Sequence, residues 1–321
     1  MRSPLWLAAA SLLLAQCAVL QPSAPDAFAF AVMGDAPYND AEESVFVDML
    51  DRMGREDVEF IVHVGDFKAG GNSRCTDELF LKRKAQFDKS AHPFIFTPGD
   101  NDWTDCRRKS NGGDDPIERL GKIREIFFAN RFSLGVKRLE TDVQSQCLEA
   151  GTPCRCGPFP ENRMWERAGV VFATINVQGS NNNRGFDAAN DREADCRDRA
   201  NLAWLAAAQK RADAGKALVV LTQANLWDED GPTYRIYVDA LIEAGAKLHK
   251  PVLFVHGDTH QLRIDTPFKT RDGRFVPNPM RVEVYGSPFV GWVKVDVDTS
   301  RPDVFTIEPK LVKFVFVPRL R

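Results

Sequence analysis

No charge of either sign dominates this 321-residue chain: 42 Lys and Arg stand against 45 Asp and Glu, a formal net charge of −3. It therefore offers nucleic acid no basic face, and no long like-charged block marks an interaction tail. Beyond the N-terminus no apolar run reaches 18 residues, so no membrane span is expected in the body of the chain. Internal repeats and low-complexity linkers are missing too, which leaves one large domain as the simplest organisation for this length.

The N-terminus differs from the rest. Met1-Arg2 precedes an apolar stretch from Leu5 to Leu14 that is too short to span a bilayer, and polar, Pro-containing QPSAPD follows. This pattern predicts a signal peptide over residues 1–26, an exported (periplasmic or secreted) protein, and a folded domain over 27–321. Cys17 would be a lipid anchor only if Gln16 were tolerated where a small residue is normal. Six cysteines then remain: Cys75, Cys106, Cys147, Cys154, Cys156 and Cys196. An even number in an exported chain points to disulfides. Cys154-Arg155-Cys156 lacks the two-residue spacer of a zinc knuckle and has no second pair. Cys75 and Cys106 each follow a strand-end Gly-Asp on what should be neighbouring loops, and a bridge between them is expected. The other four would share two bridges whose pairing stays open.

Four Gly-Asp dipeptides end short apolar runs: Gly34-Asp35 after AFAFAVM, Gly65-Asp66 after VEFIVHV, Gly99-Asp100 after PFIFTP and Gly257-Asp258 after VLFVH. Such runs read as buried strands, with Gly permitting a sharp turn and Asp placing a carboxylate above the strand end. One such dipeptide is usually only a turn, as Gly113-Asp114 in polar NGGDDP is read here. Four at strand ends imply a gathered set of carboxylates, which repel one another unless a cation lies between them. Asp35 to Asp66 and Asp66 to Asp100 are steps of 31 and 34 residues, each about one strand-helix-strand unit of ~30 residues. The fold class is α/β.

Helices are expected over Ala41–Arg52 and Thr76–Lys89, from Asp114-Asp115-Pro116 onward, and over Ala189–Ala214 and Pro232–Ala246. Further strands are expected at Val170–Val177, Ala217–Leu221 and Val252–Val255. The alternation in RVEVYG, WVKVDVD and VFTIEP between Arg281 and Pro309 predicts an antiparallel meander. Residues 131–160 hold three cysteines and three prolines with little periodicity, and read as a disulfide-tied insertion.

The ordered set Gly34-Asp35, Gly65-Asp66, Gly99-Asp100-Asn101-Asp102, Thr222-Gln223 and Gly257-Asp258-Thr259-His260 resembles the calcineurin-like metallophosphoesterases over roughly Ala27 to Val297. Asn201-Leu202-Ala203-Trp204-Leu205 is similar to a common Trp-Leu segment of that family. The resemblance implies a double β-sandwich flanked by helices (α-β-β-α layers), two metal ions, and attack on phosphorus by a metal-bound hydroxide. It assigns metal ligation to Asp35, Asp66, Asp100, Gln223, Asp258 and His260, with Asp66 bridging. Asn101 takes the place of the catalytic histidine, oriented by Asp102. A small-molecule or surface phosphoester is the implied substrate.

Departures from the family pattern are concentrated in the imidazoles. Pro37, Asn101, Gln223 and Asp258 stand where the pattern has His, Asp100 stands where it has Asn, and only His260 is retained. An oxygen-rich set of this kind would prefer Mg²⁺, Mn²⁺ or Ca²⁺ to Zn²⁺, one or two per chain. Losing the histidine at Asn101 removes an acid that contributes about 10²–10⁴ in rate. The implied function is therefore a metal-dependent phosphoesterase, with a non-catalytic ligand- or partner-binding protein of the same fold as the alternative. Strand alternation puts His256 on the side of Asp258, whereas His63, His92 and His249 are expected to be structural. Lys68, Arg107, Asn181, Arg184 and Asn225 are expected near the rim.

Overall fold

The structure, a computed structural model, describes residues 26–146, 148–149, 152–153, 157–227 and 232–316. The expected signal peptide, apart from Asp26, lies outside these residues, as do Cys17, Cys147, Cys154 and Cys156. In chain order the first elements are β1 (Ala27–Met33), α1 (Asp40–Met53), β2 (Ile61–His63), α2 (Asp77–Asp88), β3 (Phe94–Phe96), α3 (Pro116–Phe127), β4 (Asp142–Gln144), β5 (Leu148–Glu149) and β6 (Thr152–Pro153). Then come β7 (Phe159–Arg167), β8 (Val170–Thr174), the short α4 (Gly179–Asn182), α5 (Ala188–Asp213), β9 (Ala217–Leu221), α6 (Pro232–Leu248) and β10 (Val252–His256). The chain closes with β11 (Arg263–Asp265), β12 (Met280–Glu283), β13 (Phe289–Asp298) and β14 (Phe305–Phe314).

Helix starts follow from local chemistry. Asn39, Thr76 and Asp115 cap α1, α2 and α3 by accepting the backbone N–H of Glu42, Leu79 and Ile117. Each satisfies a donor that the first turn leaves without a partner. Pro116 then sits in the first turn of α3, where its missing N–H costs nothing.

The strands form two main sheets, ordered β14-β13-β1-β2-β3 and β11-β12-β10-β9-β8-β7-β4. Alternation along β1 divides its side chains between two layers. Phe30 and Val32 join Val62 and Ile95 against Phe172, Val219, Leu221 and Val255 of the other sheet. Ala31 and Met33 turn the other way, onto Phe46 of α1, Phe87 of α2 and Phe127 of α3. The outer face of the second sheet, with Val171, Val220 and Phe254, is covered by Leu205 and Ala208 of α5 and Tyr237 and Leu241 of α6. This is the expected α-β-β-α layering. β1, β2 and β3 run parallel, as do β8, β9, β10 and β12, so their C-terminal ends share one edge.

One expectation is corrected. Only β13 and β14 of the expected meander pair antiparallel; β12 pairs parallel with β10 in the other sheet. Alternating sequence marks a strand but not its sheet. In the expected insertion, β4 extends the edge of the seven-stranded sheet by pairing with β7, while β5 and β6 form a separate two-stranded ladder.

Candidate functional site

All eight residues expected at the site gather at the C-terminal ends of the parallel strands. Asp35 follows β1, Asp66 follows β2, Asp100, Asn101 and Asp102 follow β3, Gln223 follows β9, and Asp258 and His260 follow β10. Asp35, Asp66, Asp258 and His260 have positive φ, at 51°, 61°, 84° and 61°. Left-handed backbone costs a non-glycine residue about 1–2 kcal/mol, and such strain clusters at functional sites. At Gly99 and Gly257 the glycine is required by close approach: an added Cβ would lie 2.0 Å from Asp66 Oδ1 and 2.2 Å from Asp35 Oδ2 respectively.

Gln223 occupies the centre. Its Nε2 donates towards Asp100 Oδ1 at 3.0 Å, Asp258 Oδ1 at 3.0 Å and Asp66 Oδ2 at 3.2 Å. Its Oε1 accepts the Gly179 N–H at 2.7 Å, which fixes the amide's orientation. Tyr38 occupies a second meeting point. Its hydroxyl lies 3.2 Å from Asp66 Oδ2 and 3.1 Å from His260 Nε2, and accepts from Asn101 Nδ2 at 2.9 Å. Asn101 Nδ2 also donates to Asp66 Oδ2 at 2.8 Å. His260 Nδ1 bonds the Ser287 carbonyl at 2.7 Å, so Nδ1 carries the proton and Nε2 faces the site with its lone pair. Asp35 Oδ1 accepts the Asp258 N–H at 3.0 Å, whereas Asp35 Oδ2 is buried and has no hydrogen-bond donor.

Asp102, expected to orient Asn101, instead holds backbone. Its Oδ2 accepts the N–H of Asp66 and of Gly99, and its Oδ1 accepts that of Phe67, at 2.8–2.9 Å. Behind it Lys68 is buried and donates to the Asn101 carbonyl at 2.7 Å. Asp66 is held well above the ordinary carboxylate range, chiefly by burial and then by Asp100 and its other acidic neighbours. Burial likewise raises Asp35, against the pull of the Asp258 amide. Burial and the facing carboxylates also push the Tyr38 phenol up, keeping it a neutral donor.

Sequence reasoning missed Tyr38, although it stands three residues beyond Asp35 and is one of only 4 tyrosines. Asn181 was expected near the rim, but the left-handed turn it belongs to, which closes the site from the second sheet, was not. Ser180, Asn181, Asn182 and Asn183 all have left-handed φ, between 51° and 66°. Asn tolerates that region best among non-glycine residues, so GSNNN was the available signal. Fully buried Arg197 of α5 pins the turn, donating to Asn182 Oδ1 and to the Asn182 carbonyl. Ser180 Oγ lies 2.7 Å from Asp100 Oδ2 and 2.9 Å from Asp105 Oδ1. The hydroxyl has one proton to give to these two oxygens; burial and then Asp100 raise Asp105 to about 6, against the pull of Arg108.

Of the other histidines, His256 is a core residue between Phe254 and Trp227, with Nδ1 near the Gly257 carbonyl. His63 is likewise buried, among Phe46, Phe87, Phe94 and Phe96. At the rim, the Asn225 N–H donates to Asp258 Oδ2, and Arg107 stacks on Phe186. Arg184 turns away to Asp195 and Asp198.

The two-ion arrangement implied by the resemblance does not fit these side chains as they lie. Among the described residues no three His, Cys, Asp or Glu side chains form a group able to hold a cation. A neutral amide nitrogen and a neutral hydroxyl stand where the acceptors converge.

Two facing sheets between helical layers, with strand-end aspartates gathered at one edge, define a phosphoesterase-like α/β sandwich protein. A model of the calcineurin-like phosphoesterase family matches residues 28–262, and the chain belongs to that family. Among solved structures it is similar to the GAP50 anchor of the inner membrane complex of Plasmodium, at 12% identity and TM-score 0.48 over 89% of each chain. It is similar to a dimetal phosphatase from Danio rerio at 10% identity and TM-score 0.49, over 89% of this chain and 96% of that one. Vps29 from Entamoeba histolytica follows at 10% identity and TM-score 0.34, over 88% and 98%. No curated protein matches the chain.

Proposed function

We propose that this protein is a single-domain, exported member of its family that binds a ligand at the strand-end crevice and does not hydrolyse phosphoesters through a metal pair. The observation that carries this reading is Asn101. An amide stands where the resemblance places the catalytic imidazole, and its NH₂ is spent on Asp66 Oδ2 and the Tyr38 hydroxyl. An amide cannot give a proton to a leaving oxygen, and loss of such an acid costs about 10²–10⁴ in rate. A polar cleft of about 340 Å³, lined by Tyr38, Asn72, Ser73 and Lys82 among others, opens beside the cluster and suits a small polar molecule. The Cys75–Cys106 disulfide and the disulfide-bonded Cys196 support an oxidising compartment.

A second reading, the metal-dependent phosphoesterase, is favoured by Asp35 Oδ2 and by the lone pair that His260 Nε2 turns inward. Asp35, Asp66, Asp100, Gln223, Asp258 and His260 would then be the ligands, with oxygen-preferring Mg²⁺, Mn²⁺ or Ca²⁺. It requires Gln223 to turn its amide over and Tyr38 to withdraw. Turnover of p-nitrophenyl phosphate and its bis ester, with each metal added, separates the two. Wild type should be no faster than Asp66→Ala; metal-stimulated turnover abolished by Asp66→Ala would establish the second reading.

A further inference from the structure

We infer that Gln223 Nε2 and Tyr38 Oη stand in for the two cations, so that hydrogen bonds alone close this crevice and no divalent ion resides there. The inference concerns the same site as the binding reading and deepens it.

Asp66 Oδ2 is the pivot. It lies 3.2 Å from Gln223 Nε2 on one side, 3.2 Å from the Tyr38 hydroxyl on another and 2.8 Å from Asn101 Nδ2. This oxygen already accepts from the Asn101 amide, and a second amide and a hydroxyl crowd the space where an ion would approach it. Gln223 is locked as a donor. To present oxygen it would have to give up the Gly179 N–H and turn Oε1 against oxygens of Asp66, Asp100 and Asp258, all now met by its NH₂. Buried acceptors set against an acceptor lose their partners and repel, whereas the observed orientation turns two N–H groups onto these three oxygens.

Tyr38 makes the parallel substitution. Pro37 has no side-chain donor or acceptor, and the next residue brings its hydroxyl to Asp66 and His260. The loops after β1, β2 and β3 are thereby tied to those after β9 and β10. An ion pair with several carboxylate ligands would tie the same loops; here two neutral side chains do it, with protons in place of metal charge.

The test uses the full chain, purified and dialysed against EDTA. Metal content and calorimetric titration with Mn²⁺, Mg²⁺, Ca²⁺ and Zn²⁺ should show no stoichiometric site. The melting temperature should be the same in EDTA and in excess Mn²⁺, since an ion bound only by the native state would raise it. One or more equivalents of any of these ions bound at the site, with melting lowered by EDTA, would overturn the inference. Gln223→His, which restores an imidazole and removes the central donor, should gain Mn²⁺ affinity by at least about tenfold, read by titration. Ion binding without turnover would overturn this inference and leave the binding reading intact. EDTA-insensitive turnover would do the reverse.

Discussion

Three backbone N–H groups, those of Asp66, Phe67 and Gly99, converge on the single carboxylate of Asp102. That convergence fixes the loop carrying Asp66 against the loop carrying Asp100 and Asn101. Asp102→Ala would leave three buried donors without acceptors, each costing about 1–3 kcal/mol, so a loss of at least about 3 kcal/mol is expected in urea unfolding. Asp102→Asn, which keeps one oxygen acceptor, should lose distinctly less. A sequence could show that an Asp stands at position 102; it could not show which backbone groups come round to meet it. The Gly-Asp dipeptides were legible as a converging set, because apolar runs ending in Gly-Asp have few other uses. Their local geometry was not: Asp35, Asp66 and Asp258 are themselves left-handed, Gly65 alone of the four glycines shares that region, and Gly99 and Gly257 are held by the carboxylates packed against them.

The short strands show how much an element's surroundings add to its residues. β2 is only Ile61–His63, fully buried, and pairs in parallel on both sides with β1 and β3. Its last residue, His63, is lowered to about 3, chiefly by burial, with the Arg83 charge adding and the Ala36 carbonyl opposing. The unfolded chain takes up that proton near 6.5, so between about 6.5 and 3 the unfolded state binds more protons than the native one. The stability from a neutral His63 is complete above 6.5 and is lost as pH falls through that window. Compared with His63→Gln, the wild type should therefore lose about 1.4 kcal/mol per pH unit of relative stability below 6.5. Urea midpoints of both proteins at several pH values check this; parallel curves would refute it. Helices α1, α2, α3, α5 and α6 were readable from apolar periodicity and capping residues. The sheet membership of β12 was not, because an alternating strand fits any sheet edge of matching polarity.

At the scale of the whole molecule, the Cys75–Cys106 disulfide closes a loop whose ends are 31 residues apart and joins the segments that follow β2 and β3. Chain-entropy arguments give such a loop about 3–4 kcal/mol. The Cys75→Ser/Cys106→Ser double variant should lose roughly that much in non-reducing urea unfolding. The pairing could be foreseen because two parallel neighbouring strands bring their following loops side by side. The companion expectation for Cys147, Cys154 and Cys156 lies outside the described residues, while Cys196 is disulfide-bonded.

The amino-acid sequence by itself determined the α/β class, the family and the list of side chains at the strand ends, since periodicity and ordered motifs are properties of the chain. What those side chains do to one another was decided only by the tertiary structure. Gln223 is 157 residues from Asp66, and Tyr38 is 222 from His260. Whether an amide meets acid as a ligand or as a donor depends on its orientation. Here the Gly179 N–H sets that orientation, from a left-handed turn that Arg197 holds in place.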